Sequence, residues 1–523
     1  MQVLLLVAGL TAVVVAVSSA ARRLGLLAPI ALVLVGLGLS LVPGVPLPRL
    51  EAEFVLIGVL PPLLYVAALE TSVPAFRYNL RPILQLAIGL VLFTTVAVGL
   101  VTHALLPDVP LAACLALGAV VAPPDAVAAT AVARRLGLPR RVVTILEGES
   151  LLNDASALVL FRVAVAAAVG SAVGPLGITG QVALAAGGGV AVGALGALAA
   201  GYLHRRARNP LTDNAISLLT PFLVAAAAER IHASAVVAVV VTGLYLGHRL
   251  PTLMSAASRL QMGAFWKLVR FLLEGLVFLL VGLQLREVVA DLSTPVATVV
   301  GVTAAVLATV VVIRFVWVIP VTYLSRLIPA VRRRDPAPPI AYPLVVSWAG
   351  MRGVVTLATA LALPATLAGG VEYPRELFVW LAFAVIMGTL LLQGMTLSPM
   401  VRVLRIRPDD VTRDTLLEAS TQHAASRAAL EALERHAGDA PSEVVDQLRS
   451  LTERRANAAW ERLGRGRETP SQAYIRLRGH MLRAEREVYR EARDAGRIPE
   501  EILVRAQREM DLEESMLERR HPE

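Results

Sequence analysis

Apolar runs of roughly 17–25 residues recur along this chain with short polar breaks, and nothing else about it restricts the fold so strongly. The pattern is that of an all-α polytopic membrane protein, in which each spanning helix satisfies its own backbone hydrogen bonds. Thirteen runs lie at approximately 2–20, 26–42, 54–70, 83–106, 111–133, 142–169, 181–203, 212–229, 231–248, 268–286, 295–325, 341–364 and 376–401. A hydrophobic fraction of 56% and a mean hydropathy of +0.66 place the chain far above soluble domains.

The first run lacks a basic segment before it, and Arg22 and Arg23 follow it. A spanning helix with the N-terminus outside fits this better than a signal peptide. Alternating the loops from there puts nineteen basic residues, among them Arg81, Arg134, Arg141, Arg326 and Arg333, on the inside. Only Arg49, Arg230, Arg286 and Arg375 fall outside. That asymmetry requires an odd number of spans and a cytoplasmic C-terminus. The formal charge of +9 is therefore mainly a topology signal. A nucleic-acid role would need the basic residues clustered on a soluble face. The single cysteine, Cys114, lies in a run, so no disulfide framework exists.

From Arg402 the character changes. Segments 410–437, 441–465 and 469–520 are polar, with breaks at Gly464, Gly466, Pro470, Gly496 and Pro499. Ile498-Pro499-Glu500-Glu501 reads as a helix start. We expect a membrane domain over 1–405 and a cytoplasmic helical tail over 406–523.

Two charged patches sit where a spanning protein can least afford them. Ala122-Pro123-Pro124-Asp125 interrupts one run, and Glu147-Gly148-Glu149-Ser150-Leu151-Leu152-Asn153-Asp154 opens the next. A charge at bilayer depth costs about 2.5–3.5 kcal/mol on insertion scales and usually marks an ion path. On a helix, Glu147, Ser150 and Asp154 share one face, while Glu149 and Asn153 face a neighbouring direction. Asp154 lies deepest, where burial opposes its charged form. Such a carboxylate holds a proton or a cation, but not both. Pro-Pro breaks the helix ahead of Asp125, and the half-helix that follows presents a positive end to that carboxylate.

A second interrupted run holds Pro343, then Ser347-Trp348-Ala349-Gly350-Met351-Arg352-Gly353, then Pro364. Two broken helices in corresponding halves are the signature of an inverted-repeat transporter. Arg314 lies mid-run and needs a carboxylate, with Glu149 or Glu147 available. Most of Glu70, Arg162, Asp213, Asn214, Glu229 and Glu274 lie near run ends, where snorkelling or capping explains them. The sequence has no Walker loop and no His/Cys cluster, so neither ATP-driven transport nor enzymatic chemistry is expected.

Four motifs, in order, resemble those of the monovalent cation:proton antiporter family, which includes NhaP-type and NHE-type sodium/proton exchangers. They are Leu60-Pro61-Pro62-Leu63-Leu64-Tyr65, Pro124-Asp125-Ala126-Val127, Glu149-Ser150-Leu151-Leu152-Asn153-Asp154 and Gly350-Met351-Arg352-Gly353. The resemblance covers about residues 1–405. It implies that Asp154 is the ion- and proton-binding carboxylate, with Ser150 a direct ligand and Asn153 its motif partner. Asp125 and the Pro124 carbonyl join the same ion site. The resemblance also implies that Glu149 and Arg314 form an ion pair between helices, and that Gly350, Arg352 and Gly353 mark the second broken helix. An Asn-Asp pair implies electroneutral exchange of one proton per cation. Thirteen helices, a homodimer and an elevator-like cycle follow from the same likeness. Pro124 stands where many members have threonine, and Val66 where some have glutamate, so the resemblance carries antiport further than ion choice.

The expected protein is a Na+ (Li+)/H+ antiporter of a bacterial plasma membrane, moving monovalent cations and protons with no cofactor and no nucleic acid. K+/H+ exchange is the alternative within the family. A channel would show a filter loop or an arginine ladder, and neither appears. A third class is a membrane-anchored signalling protein with the tail as output; on deletion of the tail a transporter should keep some exchange, whereas a signalling protein would lose its output.

Overall fold

The computed structural model describes residues 2–43, 51–170, 175–290, 292–370, 372–406, 408–438, 440–461 and 468–519. Arg49, Gly464 and Gly466 lie outside them. The described residues are helical and connected by turns, with no strand. Each of the thirteen predicted apolar runs holds helix. Nine helices among the described residues are long and apolar enough to cross a membrane unaided. Ala28–Ser40, Phe54–Glu70 and Leu111–Val121 are shorter apolar helices.

The chain divides into two compact units, Met1–Arg407 and Pro408–Glu523. Local chemistry sets the helix limits in the first. The runs separated in sequence only by Glu229-Arg230 part because His232 adopts a left-handed backbone with φ 57°. Ser234 then caps the next helix by accepting from the amide of Val237. Small residues set the closest approaches between helices. Ala28–Ser40 meets Ala256–Leu283 through Gly36 and Gly282. A β-carbon on either would lie within 2.4 Å of the other helix's main-chain oxygen.

Among the described residues, two large apolar clusters pack the membrane unit, with a small third of Val91, Ala122 and Ala157. One gathers Leu117, Val121, Val310, Leu357, Phe378 and Ile386 around the two broken helices. The other gathers Tyr65, Val224, Val239, Leu246 and Trp266. The helix Arg140–Ala168 serves both, giving Leu146 and Phe161 to the first and Leu151 and Ala155 to the second. The helix that carries the acidic motif thus forms the seam between two packed bodies.

Among the described residues, the second unit holds four helices, Val411–His436, Ser442–Glu461, Pro470–Asp494 and Glu500–Arg519. Thr469 and Gln472 form a reciprocal cap ahead of the third. Gly496, at φ 67°, ends it. Leu482, Met510 and Leu517 bury the contact between the last two helices. Arg478 bridges to Glu513 of the last helix at 2.6 Å and pairs with Glu485 of its own helix at 2.7 Å. The hydrogen bonds from Arg478 hold the Glu513 carboxyl below the usual carboxylate range.

Candidate ion-binding site

Two unwound turns build the centre of the membrane unit. The helix Leu111–Val121 stops at Pro123-Pro124, which offer no amide hydrogen, and the chain resumes as Ala126–Arg135. Asp125 caps the new half-helix, its Oδ1 accepting from the amide of Val127 at 2.8 Å. The second break falls between Ala341–Trp348 and Val354–Leu361. The turns touch directly, the amide of Asp125 donating to the carbonyl of Met351 at 2.7 Å.

Breaking a helix strands carbonyls at the end of its first half. One buried arginine answers each set. Arg352 donates from Nε to the carbonyl of Val121 at 2.9 Å and from Nη2 to that of Ala122 at 3.3 Å. Its Nη1 also donates to the carbonyl of Gly350. Arg314 donates to the carbonyls of Val346 at 2.9 Å and Ser347 at 3.2 Å. A cation at a helix C-terminus also complements the macrodipole. Each half-helix end is thereby closed by an arginine from elsewhere in the chain.

Arg314 alone is also paired with a carboxylate. Its Nη1 and Nη2 meet Glu149 Oε1 and Oε2 at 2.8 and 3.2 Å, and both side chains are buried. This fork satisfies two charges that would otherwise be stranded in low dielectric. Gly350 permits it, because a β-carbon there would lie 2.3 Å from Arg314 Cδ. Glu147, the other carboxylate considered for this role, instead pairs with Arg134 at 2.6 Å near the surface.

Gly353 makes the corresponding room for Asp125. A β-carbon at Gly353 would sit 2.1 Å from Asp125 Oδ2. Gly353 is the residue from which Val354–Leu361 begins. The Asp125 carboxyl therefore lies at the starts of both second half-helices, where two sets of free amides favour negative charge.

Asn153 and Asp154 face this arrangement from the helix Arg140–Ala168. Asn153 Nδ2 donates to the carbonyl of Pro124 at 2.7 Å, and its Oδ1 is enclosed without a hydrogen-bond partner. Asp154 is 8% exposed and close enough to Asp125 for the two carboxyls to act on each other electrostatically. Ser150, one turn earlier, is half-buried. Pro124, Asp125, Leu146, Glu149 and Ala349 line a small void beside them. The structure thus gathers Asp125, Pro124, Glu149, Asn153, Arg314, Gly350, Arg352 and Gly353 at the crossing, with Asp154 beside it. Among the described residues, no group of three or more His, Cys, Asp or Glu side chains is placed to hold a metal ion.

Other charges are settled locally. Arg270 bonds Glu70 at 2.7 Å and approaches Glu274 at 3.5 Å. His204 and Asp213 form a buried pair at 2.8 Å. Arg352 bonds main-chain oxygens about 230 residues distant, a role that only its place in a glycine-flanked break hints at in the sequence.

The sodium/hydrogen exchanger, transmembrane, family model matches residues 9–403 of this chain. The chain belongs to that family, the monovalent cation:proton antiporters. An uncharacterised Na(+)/H(+) exchanger of Mycobacterium bovis is 36% identical over 98% of this chain and 96% of its own length. A sodium, potassium, lithium and rubidium/H(+) antiporter of Bacillus subtilis is 32% identical over 73% of this chain and 59% of that one. The solved structure of the sodium proton antiporter MjNhaP1 from Methanocaldococcus jannaschii superposes with a TM-score of 0.62 at 19% identity. It covers 77% of this chain and 98% of that one. Family membership makes this a multi-pass membrane transporter of the exchanger class, and the two crossed broken helices lie inside the matched region.

Proposed function

We propose that the chain is an electroneutral Na+ (or Li+)/H+ antiporter in which Asp154 binds the cation and the proton in alternation. One observation carries this reading. The buried arginines of the crossing direct their donors at Glu149 and at half-helix carbonyls, which leaves Asp154 as a buried carboxylate without either as counter-charge. Such a group needs a cation or a proton to be stable in low dielectric. Asn153, the Pro124 carbonyl, Ser150 and Asp125 supply neighbouring oxygens, the hard donors that a small cation prefers. Asn153 is neutral, Glu149 is neutralised by Arg314, and Asp125 is held at the starts of the second half-helices by its cap on Val127; with Asp154 as the one carboxylate that alternates between ions, one cation exchanges for one proton.

The seam position of the helix Arg140–Ala168 supports alternating access by movement of the broken-helix body against the other, as an elevator-like cycle requires. A homodimer, an outside N-terminus and a cytoplasmic tail complete the proposal. K+/H+ exchange is the second reading, and it is favoured by the range of cations in the Bacillus relative's name.

The test uses full-length protein in proteoliposomes loaded with a pH dye, challenged in turn with Na+, Li+ and K+. Collapse of an imposed proton gradient by Na+ or Li+, unaffected by membrane potential, is the expected result. A response to K+ alone selects the second reading, and a rate that follows the potential contradicts electroneutrality.

A further inference from the structure

Away from the crossing, Arg81, Arg141 and Arg326 converge on one carboxylate. Asp335 Oδ1 accepts from Arg141 at 2.6 Å, and its Oδ2 accepts from Arg81 at 2.9 Å and Arg326 at 2.7 Å. Three guanidiniums against one carboxylate leave a local excess of two positive charges. Both Asp335 oxygens are engaged, yet Arg81 Nη1 is enclosed with no hydrogen-bond partner. Asn79 takes up one donor of Arg141 at 3.1 Å, and it is neutral.

The three arginines line a cavity of about 70 Å3 that is partly open to the outside. The rest of its lining is chiefly aliphatic, with Ile145, Val318 and Val321 on its walls. We propose that this cavity binds an anionic membrane phospholipid, its phosphate on the arginines and an acyl chain along the aliphatic wall. Arginine forks match phosphate oxygens geometrically, and basic pockets between spanning helices hold anionic head groups. A free phosphate would match the charge but leave the apolar wall uncovered, so the lipid fits more of the site.

The location ties this site to the crossing. Val142 and Ile145 belong to the helix that carries Asp154, and Tyr342, Pro343 and Val346 to the half-helix closed by Arg314. The Val346 carbonyl that Arg314 holds is on the residue lining the cavity. A bound lipid therefore braces the first half of the second broken helix. This inference does not depend on which ion is exchanged, because its readout is lipid binding.

The test is native mass spectrometry of the full-length protein released from nanodiscs, offered phosphatidylglycerol, phosphatidylcholine or inorganic phosphate. Phosphatidylglycerol should be retained at least about tenfold more than phosphatidylcholine. Arg81→Gln removes the partnerless donor, and Val321→Trp fills the wall without touching Asp335; each should abolish that preference. Asp335→Asn removes the internal counter-charge and should strengthen it. Equal retention of the two lipids, or an undiminished preference in Val321→Trp, overturns the proposal. Inorganic phosphate occupying the site in place of lipid overturns it as well.

Discussion

The amide of Asp125 donates to the carbonyl oxygen of Met351 at 2.7 Å, so the two broken helices are joined at their unwound turns by a backbone hydrogen bond. No replacement other than proline at Asp125 removes that donor, and the bond holds the Asp125 carboxyl at the starts of both second half-helices. The crossing is reinforced from each side by an arginine, Arg352 on the first break and Arg314 on the second. Substitutions around the crossing therefore act by moving these groups, and their effects are specific to position.

Gly353→Ala is the sharpest case. The new methyl would have to occupy a place 2.1 Å from Asp125 Oδ2, so the carboxyl must move off its cap on Ala126–Arg135. Overpacking of this kind costs about 1–3 kcal/mol. We expect exchange in proteoliposomes to fall about tenfold or more. Gly301→Ala, where nothing lies within 4 Å, should exchange at the wild-type rate. Equal rates for the two variants would remove Gly353 from the account.

Glu149→Gln leaves Arg314 buried with its charge uncompensated. Breaking a buried pair from one side costs about 3–5 kcal/mol, and the loss should appear as a clear drop in the melting temperature of the solubilised protein. Arg314→Lys keeps the charge but cannot reach Glu149 and both the Val346 and Ser347 carbonyls, so it should also be destabilised. Glu147→Gln, whose partner Arg134 is exposed, should change the melting temperature little. The reverse order would contradict the assigned pairing.

Asp335 gives a prediction in pH. Partial burial works against its ionised form, but hydrogen bonds from Arg141 and Arg326 outweigh that and hold its carboxyl below the ordinary value of about 3.9. A group whose folded value is depressed contributes stability above its unfolded value and loses it as pH falls through the folded one. Asp335→Asn should therefore melt below wild type at pH 7. The gap should persist to about pH 4 and close in more acid solution. A gap that widens on acidification would give the linkage the wrong sign.

Much of this centre is legible in the sequence, because its causes are local. Two consecutive prolines end a helix wherever they occur, and Asp125 behind them is placed to cap the next one. The Gly350–Gly353 stretch permits unwinding for a similarly local reason. The partner of Arg314 was not local. Glu147 and Glu149 lie about 200° apart around a helix, and the sequence left both available until packing turned Glu149 inward and Glu147 towards Arg134. The bonds of Arg352 and the convergence on Asp335 carried still less signal. The first uses main-chain oxygens, which every residue possesses. In the second, Arg81, Arg141 and Arg326 read in sequence only as markers of topology, and their excess charge emerges when three helix ends are brought together.

The most direct test of the central claim is radioactive sodium uptake into acid-loaded proteoliposomes by wild type, Asp154→Asn and Asp125→Asn in parallel. Asp154→Asn should reduce proton-coupled uptake to the level of empty liposomes, because a neutral amide can hold neither ion by charge. Asp125→Asn keeps a capping oxygen for Val127 and should retain measurable exchange. Wild-type uptake by Asp154→Asn would contradict the account, since the carboxylate on which both ions are proposed to meet would then be dispensable.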